Sequence, residues 1–390
     1  MASLRRRQSL VARLAGYYST HLAQAISMSQ LWLALQFPHL ALDLATRSHD
    51  RGNELPLAIS DNDVRKQAVL DCNVPARRAG IQPGLAVNAA LGLLEGLQLL
   101  PRDAAAEQAS LERLAGWCYQ YSSLVTILVP RAALLLEIGG SQRLFGAPEK
   151  LAGKLAGELL QLGYHVQAGT APTPAAAQLA ASHGLHISHA SEIGQQIRKL
   201  PLDSLQPELM QGPALKKMGF RSDGEILKLP RKALDRRMVP APVDYLDRLT
   251  GSRPDPQLPW LPPEHFSSGM DLASEICSSQ ALLFPLKRQV SELCGTLRAR
   301  DRGIQELSIC LQLDSRIPGQ TEERLRLGLQ QPTRDENRIL LLLRERLERL
   351  QLAHPVRHVR LEAGQLLPFD AQQDSLFRDN PDLAAQPVQP

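Results

Sequence analysis

The sequence predicts a multidomain chain of mixed α/β and α+β character. Three observations carry that expectation. Between Leu31 and about Gly169, short apolar runs of strand length alternate with longer stretches of helical period. Residues 252–265, Ser-Arg-Pro-Asp-Pro-Gln-Leu-Pro-Trp-Leu-Pro-Pro-Glu-His, form a proline-rich stretch that reads as a stiff linker setting the spacing of two domains. Beyond it, residues 266–362 alternate strand and helix patterns again, with the period-two alternation of half-buried strands. At 390 residues the chain has room for two to three domains, taking roughly 150 residues for each.

Residues 1–30 hold Arg5, Arg6, Arg7 and Arg13 and no acidic residue. They read as an upstream start preceding Met28 or as an Arg-rich, acid-poor presequence, and are set aside from the fold. Leu31-Trp-Leu-Ala-Leu-Gln-Phe-Pro38 is the first apolar strand, and Leu55–Ser60 and Val69–Cys72 are the next two. Ala104–Tyr121 has Leu111, Leu114 and Ala115 on one helical face and Glu107, Glu112 and Arg113 on the other. Leu134–Ile138 is a buried strand bounded by Pro130 and by the turn signal Gly139-Gly140. Residues 148–162 form a helix, followed by a strand at Tyr164–Ala168. After the linker come a strand at Phe266–Leu272, a helix at Leu282–Asp301, strands at Ile304–Leu313 and Glu323–Gln330, a helix at Arg338–Leu350 and a strand at Val356–Glu362, a βαβββαβ-like order.

Composition narrows the function classes. Net charge is only +4, so any nucleic-acid surface must be a local patch. The five cysteines, Cys72, Cys118, Cys277, Cys294 and Cys310, form no Cys-x-x-Cys pair, which points to reduced thiols in the cytoplasm rather than a disulfide frame or a zinc site. The longest apolar run, Leu124–Ile138, is broken by Pro130 and Arg131 and falls short of the roughly 18 residues a membrane span needs. No membrane association is expected.

The stretch Pro130-Arg-Ala-Ala-Leu-Leu-Leu-Glu-Ile-Gly-Gly-Ser-Gln-Arg-Leu-Phe-Gly146 and the strand Leu31–Pro38 together resemble the palm of the Y-family (translesion) DNA polymerases. In that family the first strand ends in a metal-binding Asp and the second carries an Asp-Glu pair. Laid on this chain, the first falls at Gln36, the pair at Ala132 and Ala133, and the family's next Asp at Glu137. Two-metal nucleotidyl transfer holds two Mg²⁺ ions roughly 3.5–4 Å apart, and Mg²⁺ wants anionic oxygen ligands. One amide and two methyl groups cannot hold them, Glu137 alone is a weak ligand, and Asp43 is too far along the chain to stand in for position 36. This departure resembles the ImuB branch, the polymerase-like subunit of bacterial mutagenesis complexes. The residues by themselves also fit an ordinary core strand of another α/β domain.

Further segments match the family in order. Asn73-Val-Pro-Ala-Arg-Arg-Ala-Gly-Ile-Gln-Pro-Gly-Leu85 resembles the finger segment, with Arg77 at the position of an arginine that touches the incoming triphosphate. Gly169-Thr-Ala-Pro-Thr-Pro-Ala-Ala-Ala-Gln-Leu-Ala-Ala181 resembles a helix whose triphosphate-facing lysine is here Gln178. Leu215–Pro230 resembles half of a helix–hairpin–helix in the thumb. Such hairpins bind phosphate through backbone N–H groups. Eight basic residues against three acidic between Lys216 and Arg237 make Lys216, Lys217 and Arg221 candidate DNA contacts; a solvated face is the alternative. The segment after the linker resembles the little finger, with Arg298, Arg300, Arg302, Arg357 and Arg360 as candidate phosphate contacts. In the tail, Gln373-Asp374-Ser375-Leu376-Phe377 resembles the bacterial sliding-clamp pentapeptide, where Leu376 and Phe377 would fill an apolar pocket and Gln373 would bond at its rim.

The expected organisation is an extension (1–30), palm and fingers (31–197), thumb (198–251), linker (252–265), little finger (266–364) and clamp-binding tail (365–390). The resemblance implies a catalytically inactive adaptor with no metal or other cofactor. Its partners would be the sliding clamp, primer–template DNA, an error-prone replicative-type polymerase and a small RecA-like protein. Two other readings stay open: an active translesion polymerase with an altered metal site, and a structural DNA-binding protein without a clamp role.

Overall fold

Leu33 and Leu35 alternate with Trp32, Ala34 and Gln36, and both sets are largely apolar. The first strand, β1 (Trp32–Gln36), therefore sits inside a sheet covered on both faces. The structure is a computed structural model and describes residues 30–47, 55–61, 67–201, 204, 225, 240–314 and 321–369. The central sheet runs β5 (Val125–Leu128), β6 (Ala133–Glu137), β1, β7 (Gln167–Ala171), antiparallel throughout. Leu33, Leu35, Leu134 and Leu136 face α4 (Ala104–Cys118) and α6 (Pro148–Gln161). Trp32, Ala34 and Leu135 face α7 (Pro174–Ser182), α8 (Ala190–Ile197) and α9 (Pro240–Thr250).

Local chemistry sets the boundaries. Asp103 caps α4 by accepting from the backbone N–H of Ala105 and Ala106, at 2.9 and 3.0 Å. Thr173 caps α7 through Ala176 N–H, with Pro174 in the first turn. The close seat of α7 on β7 depends on Gly169, where a Cβ would overlap the backbone of Ala180 and Ala181. The expected strand at Tyr164–Ala168 lies three residues further along. Gly163 turns with φ +85°, and the fully buried Tyr164 is held by side-chain bonds instead of a ladder.

A short helix, α1 (Leu40–Thr46), leads from β1 to a small sheet of β3 (Val69–Cys72), β2 (Leu57–Ser60) and β4 (Gln98–Pro101). Helices α2 (Val74–Arg78) and α3 (Val87–Leu93) belong to the same unit, whose core is Ala58, Val69, Cys72, Ala76, Ile81, Ala90 and Leu97. A four-residue helix, α5 (Gln142–Phe145), follows β6.

The C-terminal sheet has the order β10 (Glu322–Thr333), β9 (Arg302–Leu313), β11 (Val356–Ala363), β8 (Ser267–Ile276), with β12 (Leu366–Pro368) also on β9. Helices α10 (Leu283–Ala299) and α11 (Glu336–Glu348) cover one face. Two strands, β9 and β10, separate these helices at the two stretches read as strands, so the order up to β11 is βαββαβ rather than βαβββαβ.

The linker is fixed to the central sheet. Trp260 N–H donates to Val125 O at 2.8 Å, Thr126 Oγ1 donates to Leu258 O at 2.9 Å, and Tyr119 OH donates to Trp260 O. Helix α10 crosses α4 closely enough that a Cβ at Gly295 would overlap the Trp117 indole.

Candidate functional site

At one end of the central sheet β1 and β6 bring Gln36 opposite Ala133. Both share the alternation of Trp32, Ala34 and Leu135, so both face α7. Gln36 is held on that helix at each end of its amide: Nε2 donates to Gln178 O at 2.9 Å, and Ser182 Oγ donates to Oε1 at 2.8 Å. Gln178 is 8% exposed, and its Oε1 accepts from Arg131 Nη1 at 2.7 Å. Ala133 is fully buried, and Ala132 turns in the left-handed region at φ 45° to start β6. Sequence positions 36, 132, 133 and 178 thus converge, and the two side-chain amides are bonded by Gln178 O, Ser182, Arg131 and Pro174 O.

Among the described residues no carboxylate is bonded to this cluster. Glu137 pairs with Trp32 at the opposite end of β6, about 13 Å along the strand, and accepts from Gly139 N–H at 2.9 Å. Asp43 is buried and accepts from the backbone N–H of His165 at 2.8 Å and from its ring at 2.7 Å, tying α1 to the segment before β7. Burial pushes the Asp43 carboxyl up, and the His165 contacts oppose that without cancelling it. Among the described residues no group of three or more His, Cys, Asp or Glu side chains is placed to hold a metal ion. A small cavity of about 320 Å³ adjoins the cluster, lined among others by Arg131, Gln178, Arg248 and Asp255.

The other predicted residues are not gathered here. Arg77 donates to Asp71 at 3.0 Å, and His39 meets the same carboxylate at 2.6 Å, so Arg77 braces α2 against β3. Arg298 lines a groove beneath α10, whereas Arg300 is half-buried and its Nε has no hydrogen-bond partner. Arg357 pairs with Asp314 and, at 3.8 Å, with Glu275. Arg302 and Arg360 are exposed on β9 and β11. These arginines do not form one surface. Lys216, Lys217 and Arg221, and the segment Gln373–Phe377, lie outside the described residues.

Two features went unread in the sequence. On the solvent face of the C-terminal sheet, Arg324 and Arg360 flank Cys310 from both sides in register, and Arg326 follows opposite Ser308. Arginine at alternate positions of Glu322-Glu-Arg-Leu-Arg-Leu327 is the signal that marks this row. The second feature has no local signal. Glu292 on α10 accepts from Arg47 and lies 3.3 Å from Tyr164 OH, 3.5 Å from Arg113 Nε and 3.2 Å from Ser268 Oγ. Arg47 also donates to Tyr164 and stacks on its ring at 4.3 Å. Burial alone would raise the Glu292 carboxyl; the two guanidiniums outweigh it and hold the group below its ordinary value. This network fastens the C-terminal sheet unit to the central one.

The impB/mucB/samB family profile matches residues 41–182, which span α1 through α7. Protein ImuB of Caulobacter vibrioides is 28% identical over 312 residues, covering 77% of this chain and 65% of that protein. The chain is similar to ImuB-type, Y-family polymerase-like proteins. It spans about two-thirds of the ImuB relative it matches. DNA polymerase IV of Yersinia pseudotuberculosis is 27% identical over 194 residues, covering 47% of this chain and 54% of that protein. Among solved structures, a Y-family DNA polymerase chimera aligns over 87% of this chain and 100% of its own at 15% identity and a TM-score of 0.49. DinB from Sulfolobus solfataricus aligns over 87% and 100% at 14% identity and a TM-score of 0.47. The profile match covers Ala133 and Gln178 of the cluster, while Gln36 on β1 precedes it.

Proposed function

We propose that this chain is a non-catalytic, polymerase-like adaptor in damage-induced translesion synthesis and mutagenesis. The observation that carries the reading is the cluster at the end of the central sheet. Where the resemblance predicts a Mg²⁺ site, an amide, two methyl groups and a second amide close on each other, and the carboxylates of Asp43 and Glu137 are bonded elsewhere. In this reading the central sheet with α4 and α6–α8 is the palm, β2–β4 with α2 and α3 the fingers, residues 198–251 the thumb and residues 266–364 the little finger.

The adaptor binds the sliding clamp through Gln373, Leu376 and Phe377 and grips primer–template DNA with its basic faces. It recruits an error-prone replicative-type polymerase together with a RecA-like partner in the cytoplasm. Single-peptide clamp binding is typically micromolar, about −8 kcal/mol, and a DNA grip on the same chain adds a tethered second contact. Support for DNA contact comes from the exposed row of Arg324, Arg326 and Arg360. No helix among the described residues is long and apolar enough to cross a membrane.

Primer extension by the purified chain with Mg²⁺ and with Mn²⁺ tests the central point. No templated incorporation is expected. Incorporation that depends on the protein and follows the template would establish an active polymerase instead.

A further inference from the structure

Between the central unit and the C-terminal sheet unit runs a groove of about 1190 Å³. One wall is α6 with the end of α4, and the other is α10 with α11. Lys154, Lys287, Arg288, Arg298 and Arg344 line it, against the carboxylates of Glu158 and Glu336. Both carboxylates are engaged, Glu158 by Tyr121 OH and Glu336 by Ser291 Oγ. The groove thus presents an excess of positive charge. Its floor aromatics, Trp117 and Tyr121, are 3% and 4% exposed, so they offer no open ring face on which a base could stack. The open apolar surface is aliphatic apart from the half-buried Phe284, whose ring is covered by the Arg288 guanidinium at 4.5 Å. Helix α11 sends Ile339, Leu343 and Leu347 into the core but leaves Leu340 half-buried and Leu341 56% exposed on the groove side.

We propose that this groove is the docking site, in cis, for residues 370–377 of the same chain, and that it competes with the sliding clamp for Leu376 and Phe377. The inference rests on reading that segment as the clamp-binding one. Strand β12 delivers the chain to the groove's rim: Phe369 N–H donates to Asp301 O at 3.4 Å, and the Arg334 guanidinium lies 4.2 Å over the Phe369 ring. Arg334 precedes the groove residue Glu336 by two positions. Leu341 is five residues further along α11, about 7.5 Å. Eight extended residues reach about 26 Å, enough to bring Leu376 and Phe377 over Leu340 and Leu341. The charge is complementary, since Asp370, Asp374, Asp379 and Asp382 are opposed by Arg378 alone. Occupation by this segment would shelter the anchors until a clamp competes for them, and would couple clamp binding to opening of the groove.

A photo-crosslinking phenylalanine at position 377 of the full chain, mapped by mass spectrometry, tests the contact directly. Cross-links to α10 and α11 within one copy are expected. Clamp affinity of the full chain should be about ten-fold weaker than that of a synthetic peptide of residues 370–380, and Leu341→Asp with Arg344→Glu should close the gap. Absent or scattered cross-links, or equal affinities of chain and peptide, would overturn the proposal. Cross-links between differently labelled copies would replace it with a contact in trans, and displacement by a single-stranded oligonucleotide would make the groove a nucleic-acid channel. A peptide that fails to bind the clamp ends the clamp reading alone, while the cross-links still decide the docking.

Discussion

Replacing Glu292 with alanine removes the carboxylate on which Arg47, Arg113 and Tyr164 converge. The side chains of Arg47 and Glu292 are each 1% exposed, so the change strands a guanidinium in a site that water does not reach. Breaking a buried pair by deleting one partner costs about 3–5 kcal/mol, most of it the uncompensated charge. With urea slopes of roughly 1–3 kcal/mol/M, the unfolding midpoint of Glu292→Ala should fall by on the order of 1 M or more. Replacing both Arg47 and Glu292 by methionine should recover much of the loss, because an apolar pair of similar volume carries no desolvation penalty. The network also has a pH signature. The folded-state carboxyl of Glu292 lies below its ordinary value, so its contribution is fully present above the unfolded value near 4.3 and is lost as pH falls through the lower, folded one. Urea titrations of the parent, Glu292→Ala and the double variant at pH 7 and pH 4 measure this. If Glu292→Ala stayed within 1 kcal/mol of the parent, the assignment of the network as the fastening between the two units would be wrong.

Other outcomes follow from the same structure. Ala133→Glu should destabilise the chain by several kcal/mol, because it puts a carboxylate at a fully buried position where the cluster's cation, Arg131, is already bonded to Gln178, and should yield no primer extension. Gly295→Ala should cost about 1–3 kcal/mol in denaturant unfolding by driving a methyl group into Trp117. Gln373, Leu376 and Phe377 changed together to alanine should abolish clamp binding in a surface-binding assay, and unchanged affinity would end the clamp role. Charge reversal at Arg324, Arg326 and Arg360 should weaken DNA binding and lower the salt slope by about one for each phosphate no longer neutralised. The same measurement on Lys216, Lys217 and Arg221 tests the thumb as a DNA surface.

The parts of the fold legible in the sequence are those written in local period. β1 and β6 read as apolar runs between turn signals, α4 and α6 as amphipathic stretches, and the strands of the C-terminal sheet as alternation. Gln36, Ala133 and Gln178 stand out because each sits in a motif with a known neighbour, and the structure brings all three together. The three-residue shift at β7 has a physical cause: Tyr164 looks like a strand residue but is drawn out of the ladder by Arg47 and Ser110. The Arg47–Glu292 contact joins residues 245 apart in sequence, and no period or motif encodes it. The scattered arginines show the opposite failure. Arg298, Arg300 and Arg357 are alike in composition, whereas helix phase and strand parity send them to different surfaces.

The strap formed by the linker has one more consequence. Trp260 N–H takes the Val125 carbonyl on the edge of β5 and the Thr126 hydroxyl holds Leu258 O, while at the opposite margin Thr170 of β7 exchanges backbone bonds with Leu185 and Ile187. An incoming strand would have to displace these contacts on either flank, which opposes stray pairing between copies. A protein that joins this chain at its central layer is thereby favoured to engage side chains on helices and loops over main-chain extension of the sheet.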